Sequence, residues 1–300
     1  MVWLIGNKGM LGTEIARQLQ ENKIEYVGTD REVDITDFSA LDTFASSKQS
    51  KIEYIINCSA YTAVDKAESD KYLAQKLNEE GPANIARVAK KHGAKLIHIS
   101  TDYVFDGTGK IPYTEDMPIA PIGVYGVTKA GGEKSLKKEI SEYYIIRTAW
   151  LYGWDGKNFV YTMIRAMNSH ESVKVVSDQH GTPTFAGDLA STILKIINLN
   201  KSGNEVPYGT YHCTDLGEIT WYDFTLEIKK QGIEKGFITN SSCKVNPCTT
   251  DEYPTPAKRP AYSVLGKEKI QKTLGIKLPD WKQSLDVFLS SPNFDNERIK

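Results

Sequence analysis

Val2-Trp3-Leu4-Ile5-Gly6-Asn7-Lys8-Gly9-Met10-Leu11-Gly12 decides the architecture. Four consecutive apolar residues read as a strand covered on both faces. Glycines follow at GxxGxxG spacing, and Leu11, Ile15 and Leu19 then recur on one face of a helix over Leu11–Gln20. A strand passing through such a turn into a helix N-terminus is the opening unit of a doubly wound sheet. Gly6 permits the tight turn, Gly9 lets backbone approach a pyrophosphate, and Gly12 lets helix and strand pack closely. The helix start, with Met10 and Leu11, offers free N–H groups and the positive dipole end to phosphates. The segment is therefore a candidate dinucleotide cradle.

Working outward, Glu25–Gly28, Ile52–Asn57, Lys95–Ser100 and Tyr143–Arg147 read as further strands. Helical patterns over Ala67–Asn78 and Asn84–His92 lie between them. Alternation of this kind implies right-handed crossovers and a parallel sheet. The fold class is α/β, a doubly wound parallel sheet of Rossmann type with a smaller C-terminal α/β substrate-binding lobe. Past about Trp150 the segments are less regular, punctuated by Gly181-Thr182-Pro183 and Tyr253-Pro254-Thr255-Pro256. Asp188–Leu199 is still helical and Gly209–Cys213 still strand-like. We expect residues 1–150 to form the nucleotide-binding domain, elements near 186–215 to return to it, and 151–300 to be mainly the substrate lobe.

Composition narrows the functions. The 300 residues are 40% hydrophobic and 25% charged, with net charge -1. No bulk field draws such a chain to nucleic acid or anionic lipid. No apolar run reaches the roughly 20 residues that span a bilayer. No basic-then-apolar leader precedes Val2–Ile5, so a cytoplasmic location is expected. Cys58, Cys213, Cys243 and Cys248 form neither a CxxC pair nor a metal-ligand array. They are expected to be free thiols, and no metal is expected.

At the end of the second strand, Asp30 suits the ribose hydroxyls of NADH and Arg31 suits the 2′-phosphate of NADPH. Both cofactors stay open, and Asp34 and Ile35 would flank the adenine. Tyr125-Gly126-Val127-Thr128-Lys129 places a phenol and an ammonium on one helix face. A free phenol titrates near 10, and an adjacent ammonium would lower that value toward one useful for proton exchange. Lys129 would also hold the nicotinamide ribose. The strand ending at Ser100-Thr101-Asp102 brings a hydroxyl to the carboxyl edge of the sheet, where it can bind a carbonyl oxygen. Thr101 is preferred over Ser100; Asp102 alternatively caps the loop.

At this point the chain resembles the dTDP-4-dehydrorhamnose reductases, within the extended short-chain dehydrogenase/reductases. Asn57-Cys58-Ser59-Ala60-Tyr61-Thr62-Ala63-Val64-Asp65-Lys66-Ala67-Glu68 carries the resemblance, with Ser100–Phe105, Val124–Lys129, Arg147–Gly153, Asp178–Thr184 and Tyr253–Pro260. The resemblance implies a catalytic trio of Thr101, Tyr125 and Lys129. It implies that Cys58, Ser59, Ala60 and Thr62 line NADPH or NADH. It implies that Val64, Asp102, Tyr103 and Trp150 touch a dTDP-linked 4-ketosugar, with Arg259 helping to hold its diphosphate. The expected product is dTDP-L-rhamnose. A core position after a strand is the alternative for Trp150. Ala130-Gly131-Gly132-Glu133 departs from the family's usual Leu-Ala-Gly-Glu without removing a reacting group.

Other readings stay open. One is a reductase or epimerase acting on another nucleotide 6-deoxysugar. Another is a non-catalytic regulatory subunit resembling that of methionine adenosyltransferase. No heptad announces an interface, so a monomer or a homodimer is expected.

Overall fold

The computed structural model describes residues 1–299. Its main sheet has six parallel strands. They are β1 Val2–Ile5, β2 Tyr26–Thr29, β3 Tyr54–Asn57, β4 Lys95–Thr101, β5 Tyr143–Thr148 and a sixth, Gly209–His212. Reading across the sheet, the sixth strand is followed by β5, β4, β3, β1 and β2. The order in which strands are added therefore reverses between β1 and β3. In open α/β sheets that switch point opens a crevice at the carboxyl ends of the strands.

Alternation along the strands fills two cores. On one face Val2, Leu4, Tyr54 and Ile56 pack under helix α1, Met10–Glu21, and helix Ala186–Lys201. On the other, Trp3, Ile5, Ile55 and Leu96 pack under helices Gly81–His92 and Val124–Glu139. A separate aromatic core of Tyr152, Tyr161, Phe224, Trp281 and Phe288 holds helices Phe159–Ser169, Trp221–Glu234 and Trp281–Ser290 together. These helices lie in the stretch read from sequence as less regular. Their apolar faces are aromatic, and each begins on a capping side chain, Asn158, Thr220 or Asp280.

Two further elements depart from the sequence expectation. Helix Phe38–Ser46 went unread, although Asp37 caps it by accepting from the Ser39 and Ala40 N–H groups. The single helical stretch expected over Ala67–Asn78 is instead Val64–Ala67, Lys71–Gln75 and a π-helical turn, Lys76–Glu80. The turn's extra residue aims the buried Asn78 inward. Its amide oxygen accepts from the Tyr61 N–H at 2.8 Å, and its nitrogen donates to the Tyr61 carbonyl and the Thr128 hydroxyl at 3.1 Å. One side chain thus ties the segment after β3 to the helix that carries Lys129.

Candidate active site

The glycine loop leaves β1 with Gly6 in the left-handed region at φ 78°. A Cβ there would sit 2.8 Å from the Ser59 nitrogen. At Gly12 it would sit 2.0 Å from the Gly6 carbonyl oxygen. Gly9 differs: it is exposed, and its Cβ would meet only the Gly6 oxygen, at 3.4 Å. Gly9 is also the N-cap of α1, with no side chain capping it and no acidic residue in the first turn. Uncapped N–H groups beside an open glycine face fit a pyrophosphate. Leu11 faces the core, and Met10 packs beside Gly153.

At the far end of the crevice Asp30 is half-buried and Arg31 exposed. The neighbouring Glu32 carboxylate takes the Asp30 N–H at 2.9 Å and pairs with Lys8 at 3.3 Å. Asp34 is exposed and accepts from the Thr36 N–H and hydroxyl. Ile35 turns into the core beneath Gly81, so its side chain does not face the crevice.

Across the switch point Cys58, Ser59 and Ala60 follow β3, partly buried, with Thr62 exposed beyond them. Asn57 holds this bend, its Oδ1 accepting from the Ser59 N–H at 3.0 Å and from the Ser59 hydroxyl. Asn57 Nδ2 meets Nδ1 of the fully buried His98 at 3.1 Å. Burial, then the nearby Lys129, holds the His98 imidazole well below its ordinary value, so it is neutral. That assigns Asn57 as donor and His98 Nδ1 as acceptor.

The chemical centre forms where β4 meets helix Val124–Glu139. Gly126 allows the close approach, since a Cβ there would stand 2.2 Å from the Tyr103 carbonyl oxygen. Glu68 caps the helix from a distance, accepting from the Val124 N–H at 2.9 Å. The Thr101 hydroxyl donates to Asp102 Oδ1 at 2.9 Å, accepts from the Tyr103 N–H at 3.2 Å, and lies within hydrogen-bonding reach of the Tyr125 phenol. The Tyr103 and Tyr125 rings meet edge to face, with centroids 5.4 Å apart. Lys129 is buried and donates to the Ile99 carbonyl at 2.7 Å, close to Cys58. Gly6 packs against the Cys58–Ser59 backbone, and Cys58 lies close enough to Lys129 to feel its charge.

The electrostatics differ from expectation. Burial, then the Asp102 carboxylate, pushes the Tyr125 phenol up rather than down. Burial lowers the Lys129 ammonium to about 8, against an upward pull from Glu133. Tyr125 therefore rests as a protonated donor.

Asp102 is buried, and desolvation raises its carboxyl to about 6 against hydrogen bonds from Thr101 and the local backbone N–H groups. Its Oδ2 has no hydrogen-bond partner among the described residues. Val64 opens the short helix after β3. The next residue, Asp65, binds Arg259 at 2.7 Å and the Ala257 N–H at 3.2 Å, fastening the Tyr253–Pro260 segment over the site. Arg259 also faces the Tyr103 phenol, while its Nη1 is buried and unpartnered among the described residues. Trp150 stands at the carboxyl end of β5 with φ 47°, stacked on Trp221 at 3.7 Å. A bulky residue held there is strained, which fits a placed functional side chain better than core filling. Gly181 makes room for it, since a Cβ there would stand 2.5 Å from the indole.

The family model described as the RmlD substrate binding domain matches residues 1–293. The chain belongs to the dTDP-4-dehydrorhamnose reductase family. A crystal structure of a dTDP-4-dehydrorhamnose reductase from Clostridium acetobutylicum is 45% identical, covers 96% of this chain and 98% of its own, and superposes with TM-score 0.87. The Bacillus anthracis dTDP-4-dehydrorhamnose reductase, solved with NADP, is 35% identical with TM-score 0.87, over 96% and 97% of the two chains. A Streptomyces antibioticus relative named a probable dTDP-4,6-dihydroxy-2-methyloxan-3-one 4-ketoreductase is 40% identical, over 95% of this chain and 93% of its own.

Within this dTDP-4-dehydrorhamnose reductase family member, sequence reading missed Asn57, His98, Asn78, Glu68, Glu133, Arg147 and Trp221. Asn57, Glu68, Glu133 and Arg147 lie within the quoted motifs, where nothing gave them a role; His98, Asn78 and Trp221 carried no signal. Asp102 yields a pH prediction. Its folded value of about 6 lies above the ordinary carboxyl value of 3.8. Between those values the folded protein holds a proton that the unfolded chain has released, so stability falls as pH rises through this window. Above it the folded chain bears the full cost of a buried charge. Asp102→Asn should therefore melt higher than wild type at pH 8, and the gain should vanish near pH 4. Thermal melts across that range check this, and an equal or lower melting temperature at pH 8 refutes it.

Proposed function

We propose that this chain reduces the C4 ketone of dTDP-4-dehydro-β-L-rhamnose to dTDP-L-rhamnose, using NADPH or NADH. The observation that carries the site assignment is that Thr101 of β4 lies within reach of the Tyr125 phenol while Lys129, on the same helix as Tyr125, bonds the Ile99 carbonyl of that strand, with the bend after β3 packed on Gly6 nearby. When bound, the reduced nicotinamide supplies hydride to C4. Gly6, Gly9 and Gly12, with Met10 and Leu11, seat its pyrophosphate. Asp30 and Arg31, with Asp34 and the backbone at Ile35, serve the adenosine end. Cys58, Ser59, Ala60 and Thr62 line the rest.

Thr101 steadies the ketone oxygen, and Tyr125 gives its proton to that oxygen as negative charge develops there. Lys129 then compensates the phenolate and holds the ribose. Val64, Asp102, Tyr103 and Trp150 receive the sugar, and Arg259 turns its free Nη1 to the diphosphate. Residues 1–150 act as the nucleotide domain and 151–300 mainly as the substrate lobe, in a monomer or homodimer working in the cytoplasm. Among the described residues no helix is long and apolar enough to cross a membrane.

The test is to add dTDP-4-dehydro-β-L-rhamnose to the pure protein with each reduced nicotinamide. We expect cofactor oxidation that depends on the ketosugar and matches it mole for mole. That stoichiometry separates a reductase from an epimerase, which recycles its cofactor. No oxidation with either cofactor overturns the proposal. The Streptomyces relative favours one second reading, a ketoreductase on another 6-deoxysugar, and NMR of the product distinguishes the two.

A further inference from the structure

Glu133 lies one helical turn beyond Lys129, on the same face. It is 1% exposed, yet it carries a full set of partners. Arg147 of β5 clasps it through Nε at 2.8 Å and Nη2 at 2.7 Å, and the Ser100 hydroxyl of β4 donates at 2.6 Å. Arg147 is itself buried, with Nη1 3.3 Å from His212 Nε2. Burial, then Arg147, holds His212 down at about 3, so its neutral ring accepts from Arg147 and donates through Nδ1 to the Tyr113 carbonyl at 3.0 Å. The carboxylate is thus fixed against the catalytic helix, β4, β5 and the sixth strand together. A well-packed apolar pair would serve stability about as well as a buried ion pair, so packing alone does not account for this one.

Lys129 needs a counter-charge. The titratable groups facing it are Cys58 after β3, His98 on β4 and Glu133 on its own helix, with Arg147 and Lys137 behind Glu133. Burial pushes Cys58 up to about 12, His98 is neutral, and Tyr125 is protonated. Asp102 acts on Tyr125 and Tyr103. Glu133 is the anion left. Arg147 holds its carboxyl below the ordinary value against the opposing effect of burial, which is the largest single influence on it.

We propose that Glu133 is a positioning residue for Lys129, its carboxylate held by Arg147 and Ser100 as the buried counter-charge that keeps the ammonium charged beside the cofactor ribose. The inference rests on the reductase reading for the role of Lys129.

The test measures NADPH binding by fluorescence without sugar, and kcat/KM with it, from pH 6 to pH 9. Wild type should lose both as pH rises through the Lys129 value, about 8. In Glu133→Gln this alkaline limb should move to lower pH. At pH 8 the NADPH Kd should rise at least about tenfold over wild type, and at pH 6 by no more than about threefold. Glu133→Asp, which keeps the charge, should return the limb toward wild type. Should Glu133→Gln fail to fold, the double variant Glu133→Leu/Arg147→Met replaces the pair by apolar side chains and should show the same shift. A limb unmoved in the folded variant, or a loss equal at pH 6 and pH 8, overturns the proposal, as does failure of both variants to fold. Absence of ketosugar turnover in wild type defeats the reductase reading instead, and the binding profile is read without it.

Discussion

Tyr125→Phe should lower kcat for ketosugar reduction by at least about a hundredfold, roughly 2.7 kcal/mol of transition-state stabilisation, while NADPH affinity stays within about threefold of wild type. Hydride arrival at C4 leaves negative charge on the oxygen, and a donor must neutralise it. The Tyr125 phenol is the group placed for this, protonated because burial and Asp102 push it above its ordinary value. Thr101 can hydrogen-bond that oxygen but does not replace the phenol, because an aliphatic hydroxyl is a much weaker acid. Binding survives because Phe keeps the ring edge against Tyr103 and leaves the Lys129 bond to the Ile99 carbonyl untouched. Steady-state kinetics and a fluorescence titration separate the two effects. Wild-type kcat in the variant would remove Tyr125 from the chemistry.

The raised phenol also changes what pH should do. A tyrosine lowered toward neutrality by its lysine would lose its donor form as pH rose. Here the proton stays on Tyr125 across the working range, and Lys129, lowered by burial to about 8, sets the alkaline limit. The charge balance behind Lys129, not the phenol, then governs activity above neutrality. That is why Glu133 and Arg147, which touch no substrate, belong to the same account.

What the sequence revealed was local. The glycine loop is seven consecutive residues, and Tyr125 and Lys129 are four apart on one helix, so spacing alone announces them. The parallel sheet was legible because β1, β3, β4 and β5 each centre on apolar residues. The supports were not. Asp65 meets Arg259 across most of the chain, and Asn57 meets His98 from a neighbouring strand. Nothing in either segment names the partner. Ile35 was placed beside the adenine by its distance from β2, but the chain's turn sends its side chain under Gly81. The direction of the Tyr125 shift comes first from burial of its own phenol and then from Asp102, and burial is a property of the assembled site. Trp150 read plausibly as core until its left-handed backbone and its stacking on Trp221 were seen.

Gly9→Val should raise the NADPH Kd at least about a hundredfold with little change in melting temperature, whereas Gly12→Ala should destabilise the fold itself. Both residues belong to one motif, but they face different neighbours. A Cβ at Gly9 meets nothing nearer than the Gly6 oxygen at 3.4 Å, an ordinary contact, and Gly9 is exposed with an extended backbone. A valine there fills only the space above the uncapped start of α1, where the pyrophosphate must approach the N–H groups. Losing those short, charge-assisted bonds costs about 2.7 kcal/mol or more, which is the hundredfold. At Gly12 the Cβ would lie 2.0 Å from the Gly6 carbonyl oxygen and 2.8 Å from the Asn7 Cα, and backbone cannot rotate aside as a side chain can. Forced repacking of that kind costs about 1–3 kcal/mol. Thermal melts and NADPH titrations on the two variants separate the roles. A Gly9→Val protein that binds NADPH normally would show that the phosphates lie elsewhere, and a Gly12→Ala protein as stable as wild type would show that helix and loop tolerate a wider gap.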